Sequence, residues 1–173
     1  FAGDIIGIPN HGVLQLADTL TEGEVLQFTG LPFFAPEMFR TVEVADPLKT
    51  KQLRAGLAQL GEEGAIQVFR PVGGGMLLLG AVGQLQFEVV AHRLEHEYGV
   101  RARITPARYN VARWVTCETG EGPAADAREL QRFVDANAHR VARDAVDAPC
   151  VLLEYAGELR AMQENWPKIR FHA

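Results

Sequence analysis

A chain of 173 residues, 47% hydrophobic and 23% charged, carries enough apolar material for one core, or for one domain with part of another. That balance excludes a disordered tail and a membrane-spanning bundle. The net charge of −5, with Cys117 and Cys150 far apart and outside any C-x-x-C pair, argues against a free-standing basic nucleic-acid binder, a disulfide scaffold and a cysteine zinc site.

No basic flank, apolar run and small-residue cleavage site opens the sequence, so a cytoplasmic protein is expected. The first residue is Phe1, and strand-like text follows it at once, which reads as a chain that begins mid-protein. Gly3 to Gly30 alternates short β-rich runs (DIIGI, VLQL, VLQFTG) with the turn segments NHG and ADTLTEGE. This pattern suggests the end of a β-barrel or sandwich, although about thirty residues are too few to close a barrel. LPFFAP then reads as a linker.

A strand is predicted at Phe39 to Ala45, where Phe39, Val42 and Val44 stand among Arg40, Thr41 and Glu43. Asp46 is a candidate N-cap with Pro47 in first position, and Gly64 ends the helix that follows. Within that helix Leu53, Leu57 and Leu60 recur at helical spacing. Ala65 to Arg70 and Met76 to Val82 read as a hairpin around Gly73 to Gly75. Gly83 opens a second helix, with Phe87, Val90, Ala91, Leu94 and Tyr98 on one face, and Gly99 closes it. Val100 to Ile104 completes the order strand, helix, strand, strand, helix, strand, which is the ferredoxin-like βαββαβ plan.

Beyond it, a strand at Val111 to Cys117 leads through TGEGP to a helix at Ala125 to Ala138, turned inward by Leu130, Phe133 and Val134. Strands are expected at Arg140 to Ala145 and Cys150 to Tyr155, a short helix at Glu158 to Trp166, and an edge strand at Ile169 to His172. The βα units echo one another only loosely, with no internal repeat visible in the residues. The expected fold is α+β: a barrel remnant over residues 1–34, a ferredoxin-like part over 35–110, and a C-terminal βα extension of the same domain over 111–173.

Charge is spread unevenly along this plan. There are five acidic and no basic residues through Met38, ten basic and seven acidic from Phe39 to Arg113, and seven basic and ten acidic beyond. Only the middle stretch is basic. Lys49, Lys51, Arg54, Arg70, Arg101, Arg103, Arg108 and Arg113 are therefore the candidate contacts for a phosphate-rich partner, since guanidinium forks suit phosphate and carboxylate. A solvated, salt-bridged surface is the competing reading for each of them taken singly.

Other motifs admit two readings. His92, Glu95 and His96 spell H-x-x-E-H on the second helix, the inverted zinc-protease pattern. A solvated histidine face opposite an apolar stripe is the preferred reading, and a small zinc hydrolase the lesser alternative. Gly73 to Gly75 precede a strand, not a helix, so a hairpin tip is favoured over a phosphate cradle. Gly80 to Gly83 is a weak G-x-x-G, read as tight strand-to-helix packing. The chain has no serine, which excludes serine-hydrolase chemistry, and Cys117 lies in a β-rich run that does not suit a nucleophile. No catalytic, cofactor-binding or metal residue is assigned.

The stretch GDIIGIPNHGVLQLADTLTEGEVLQFTGLPFFAPEMFRTVEVADPLKTKQLRAGLAQLGEEGAIQVFRP closely resembles the peptide chain release factor 3 family where its second, barrel domain joins its third. GAVGQLQFEVVAHRLEHEYGV resembles the same family, and more loosely a third-domain helix of elongation factor G. NVARWV and WPKIRFH extend the likeness to nearly the whole chain. The resemblance implies a ribosome-bound GTPase that promotes removal of the class I, stop-codon-reading release factors in translation termination. Its partners would be the ribosome and those factors, with no membrane and no DNA. GTP or GDP and Mg would bind a first domain, whose G-x-x-x-x-G-K-[ST] loop this sequence lacks. The eight basic residues then become candidate ribosome contacts, and the fragment itself is expected to be no enzyme and to hold no cofactor. A stand-alone ferredoxin-like interaction module is the alternative.

Overall fold

The structure, a computed structural model, describes residues 1–9, 13–14, 18–26, 28 and 34–173, and divides the chain into the units Phe1–Phe33 and Phe34–Ala173. Among the described residues of the first unit none lies in a helix or strand. The strand expected at DIIGI does not form. Its Ile5 and Ile6 are exposed, and a strand without a ladder leaves its backbone groups to water. The expectations for NHG, VLQL, VLQFTG and LPFFAP lie partly or wholly outside the described residues.

The second unit begins with β1 (Met38–Val44), α1 (Thr50–Glu62), β2 (Gln67–Pro71), β3 (Leu77–Ala81), α2 (Gln84–His96) and β4 (Ala102–Pro106). The entry to α1 follows from its capping residues. The Asp46 carboxylate accepts from Leu48 N at 3.0 Å, and Pro47 opens one 3-10 turn, Pro47–Lys49, ahead of the α-helix. Both helices end on glycines in the left-handed region, Gly64 at φ 70° and Gly99 at φ 64°. Past Gly99 the chain folds back, and Val100 N donates to Leu94 O at 2.8 Å, closing the helix as a glycine C′ residue does.

The strands pair antiparallel in the order β4-β1-β3-β2, which is the ferredoxin-like order. One face of this sheet is covered by both helices. Val42, Leu79 and Ala81 from the strands pack with Leu53, Leu57 and Leu60 of α1 and Phe87, Val90 and Leu94 of α2. The expected leucine stripe and the second-helix face therefore meet in one core.

Residues 107–110 lead into β5 (Val111–Cys117), α3 (Pro123–Ala136), β6 (Val141–Arg143), β7 (Pro149–Leu153), α4 (Gly157–Asn165) and β8 (Ile169–His172). Here the order is β6-β7-β5-β8, again antiparallel throughout. The C-terminal βα extension is thus a second, complete βαββαβ module, with its own core of Val115, Phe133, Val134, Val151, Leu153, Met162 and Ile169. β8 closes one end of the sheet, as the edge-strand reading of Ile169 to His172 has it. The repetition is one of topology and not of residues, which is why the sequence carries only an echo of it.

The modules join strand to strand. β2 and β6 pair antiparallel at Arg70↔Arg143 and Pro71↔Ala142, giving one eight-stranded sheet, β4-β1-β3-β2-β6-β7-β5-β8. Two further bonds prolong the join, Val72 N to Val141 O at 2.9 Å and Gly73 N to Ala138 O at 3.1 Å. The strand faces that carry no helix supply a third core, Phe39, Phe69, Leu78, Ala112, Ala142, Cys150 and Leu152. Phe69 stands at its middle, its ring 5.7 Å from Phe39 and 6.1 Å from Trp114. Phe39 does not share a face with Val42 and Val44. Odd and even positions of a strand point apart, so Phe39 goes to the third core and Val42 to the first.

The join makes a local demand on Gly73. A Cβ added there would sit 2.9 Å from the Ala138 carbonyl oxygen, and that atom is backbone that already accepts the Gly73 N–H. Gly73→Ala is expected to cost about 1–3 kcal/mol through overpacking. Equilibrium urea unfolding checks this, and Gly74→Ala in the same hairpin separates the clash from the strain of a positive φ, since nothing lies within 4 Å of a Cβ at Gly74 while its φ is 81°.

Candidate functional site

The eight basic residues separate into two places. Lys49, Lys51, Arg54, Arg101 and Arg103 cluster by topology at one end of the first module, where β1 hands over to α1 and β4 enters beside it. Ala45 N donates to Arg101 O at 3.0 Å there, and the Lys49 ammonium donates to the Gly99 carbonyl that ends α2. Arg70, Arg108 and Arg113 lie near the join of the modules.

Their charges are not equally available. Arg101 Nε donates to Glu95 at 2.8 Å, Arg70 donates to the Asp144 carbonyl and to the Asp147 carboxylate at 2.8 and 3.0 Å, and Arg113 donates to the Ala112 carbonyl at 2.7 Å. Arg108 reaches Glu154 at 3.4 Å and lies over the Tyr109 ring. The hydrogen bond to the Tyr109 hydroxyl raises its pKa further. Arg103 stands opposite Glu43 in the β1–β4 register, exposed and with no ion pair to it. Among the described residues, the side chains of Lys51 and Arg54 make no hydrogen bond or ion pair, and both are exposed. They sit three residues apart in the first turns of α1, where side chains at that spacing are neighbours.

One cation outside this set has a structural role. Arg93 binds Glu97 through two bonds of 2.7 Å and also reaches Glu63, tying the end of α1 to α2. The Glu97 and Glu63 bonds hold its pKa above the ordinary arginine value, and the Arg93 bond holds the Glu97 carboxyl below the usual range.

The glycine-rich tip has little left for an anion. Gly73 N is used by Ala138 O and Gly74 N donates to Pro71 O at 3.2 Å. Gly80 packs tightly, but on the helix-free face: an added Cβ would lie 2.8 Å from Phe69 and from Pro36. Gly83 heads α2, where the Gln86 side-chain oxygen accepts from Val82 N at 2.9 Å and Gly83 N at 3.2 Å.

Burial raises the pKa of both thiols. Burial pushes Cys150 up to about 12. Cys117 is raised first by desolvation and then by the nearby Asp126 and Glu129 carboxylates, which outweigh Lys168 and Arg170, whereas a nucleophile needs a lowered pKa. His92 and His96 lie on the exposed side of α2 with rings stacked at 4.0 Å, while Glu95 is occupied by Arg101. Glu95 therefore does not join the two histidines, and among the described residues no three His, Cys, Asp or Glu side chains form a metal-binding group.

Two surface features escaped the sequence. A groove of about 590 Å³ runs past Thr41, Leu78 and Thr105 of the first module to Tyr109 and His139, and a smaller one of about 340 Å³ lies between Asn137, Tyr155 and Trp166. Each gathers residues far apart in the chain, so no local spacing signals it. Among the described residues no helix is long and apolar enough to cross a membrane.

The tandem βαββαβ sheet, with exposed cations on its first module, defines an α+β class of module. Residues 28–163 match the family described as Class II release factor RF3, C-terminal domain, and the chain belongs to that family. It is 72% identical over 172 residues to peptide chain release factor 3 of Nitrosomonas europaea, across 99% of this chain and 31% of the relative. Identity is 70% over 172 residues to the Nitrosomonas eutropha protein of the same name, with the same coverage. To that of Bordetella avium it is 64% over 174 residues, across 100% of this chain and 31% of the relative. The chain therefore spans about 31% of the length of the curated relatives it matches.

Proposed function

We propose that this chain is the docking portion of a termination factor that acts on the ribosome and helps to release class I, stop-codon-reading factors. The observation that carries the reading is the family match over residues 28–163, supported by relatives named peptide chain release factor 3. GTP binding and hydrolysis, with Mg, belong in this reading to the part of the relatives that the chain does not span, and the cytoplasm is its place. The contribution of the chain is a coupling between a nucleotide-dependent domain and a bound partner, which requires contact surfaces on a stiff frame and no local chemistry.

Lys51 and Arg54 are the residues best placed for rRNA phosphate. Arg101, Arg70 and Arg108 already pair with carboxylates of this chain, so charge reversal there would remove those pairs as well as any interface contact. The expected result for Lys51→Glu with Arg54→Glu is weaker co-sedimentation of the chain with ribosomes. The dependence of log affinity on log salt should also become shallower, by roughly 0.7–0.9 for each phosphate that is no longer neutralised. An unchanged salt curve would remove these two residues from the interface. Absence of ribosome binding by the unaltered chain at low salt would sink the docking reading and leave a stand-alone interaction module.

A further inference from the structure

We propose that His92 and His96 form a two-imidazole chelate on the outer face of α2 for a divalent first-row transition ion, Cu²⁺ foremost. The two residues lie four apart on an uninterrupted helix, so they are stacked one turn above the other. Both are exposed, and their rings are near parallel, 18° apart in plane and 4.0 Å between centroids. Two imidazole nitrogens bound to one ion at ordinary metal–nitrogen distances lie roughly 3 Å apart in adjacent positions; the stacked rings aim their in-plane lone pairs side by side, so binding turns both exposed side chains until those lone pairs meet on one ion.

The hydrogen bonding favours this use. His96 Nδ1 lies 2.9 Å from the His92 carbonyl oxygen. A carbonyl only accepts, so Nδ1 carries the proton and Nε2 carries the lone pair. This is the arrangement of a metal-ligating histidine, in which the second nitrogen donates to a backbone carbonyl and fixes the tautomer. Glu95 is held by Arg101 at 2.8 Å and supplies neither base nor ligand. The site is thus a two-ligand chelate completed by water, not a hydrolytic zinc centre. Nitrogen ligands and an open coordination sphere favour Cu²⁺ over the other divalent first-row ions, which places Ni²⁺ and Zn²⁺ behind it. A chelate spanning one turn also binds the folded helix in preference to the unfolded chain, so the ion should raise the thermal midpoint.

The test uses the chain without an affinity tag. Titration calorimetry with CuCl₂ is expected to give one equivalent, with NiCl₂ and ZnCl₂ weaker. His92→Asn and His96→Asn should each weaken Cu²⁺ binding by about tenfold or more, since loss of even a ligand's outer partner has effects of that order. His172→Asn, whose ring pairs with Thr116 at 2.8 Å, should leave it unchanged. Electron paramagnetic resonance of the Cu²⁺ complex should show two imidazole nitrogens in the unaltered chain and one in either variant, and circular dichroism confirms that α2 is retained. If both variants bind Cu²⁺ as the unaltered chain does, or if the spectrum never shows two imidazoles, the chelate does not exist.

Discussion

Phe69→Ala is expected to lower the stability of the chain by about 3–5 kcal/mol, the range for truncating a fully buried phenylalanine. Phe69 has no exposed surface. It stands on β2, the strand by which the first module meets the second, and its ring contacts Phe39 from its own module and Trp114 from the other. The cavity left by its removal would be lined by strands of both modules, held in register through β2–β6 pairing, so collapse around it is restricted. Against a total stability of about 5–15 kcal/mol for a domain the loss is large. Equilibrium urea unfolding should show a lower midpoint with an unchanged slope, because the surface exposed on unfolding stays the same. A loss below about 1 kcal/mol would mean that the third core contributes little and that each module stands on its own helix-covered core. Phe133→Ala provides the comparison: that ring is equally buried but lies wholly within the second module.

Much of this fold is written locally. Asp46, Pro47, Gly64, Gly83 and Gly99 mark the ends of α1 and α2 through capping and left-handed φ, and the spacing of Leu53, Leu57 and Leu60 reports one buried face. Those signals operate within a few residues, and the structure follows them. What was not legible depends on partners distant in the chain. That Phe39 and Phe69 face away from the helices follows from strand parity, but nothing near them in sequence names Trp114 as the neighbour. β6 is only three residues long, too short for its alternation to stand out, yet its pairing with β7 completes the second module and its pairing with β2 joins that module to the first. DIIGI shows the converse case, in which a β-rich pattern does not make a strand where no ladder among the described residues receives it.

The candidate site was legible as composition and not as arrangement. The count of cations between Phe39 and Arg113 pointed to a basic stretch, yet pairing with Glu95, Asp147 and Glu154 occupies Arg101, Arg70 and Arg108. These partners lie from six to seventy-seven residues away. Helical spacing places Lys51 and Arg54 side by side, but that they remain unpaired among the described residues required the fold. The family resemblance carried further than the periodicities did, because it rests on whole segments and not on single residue types.

Asp144→Ala is expected to cost about 2–3 kcal/mol, mostly by leaving the indole N–H of Trp114 without its acceptor in a half-buried place. One Asp144 carboxylate oxygen accepts from Trp114 Nε1 at 2.8 Å, and the other accepts from Val146 N at 3.0 Å and Ala148 N at 2.8 Å. The same residue's carbonyl receives Arg70, and the turn it organises holds Asp147 at φ 67°, where its carboxylate meets Arg70 and Arg143. A single side chain therefore shapes the β6–β7 turn and anchors the tryptophan of the third core beside the join of the modules. The Trp114 and Ala148 bonds are half-buried and the Val146 bond is exposed, and a double-mutant cycle with Trp114→Phe separates the indole contribution from that of the turn amides. Urea unfolding of the four proteins should give a coupling of about 1 kcal/mol or more between the positions. A coupling near zero would assign the whole cost of Asp144→Ala to the turn and leave Trp114 positioned by its packing beside Phe69.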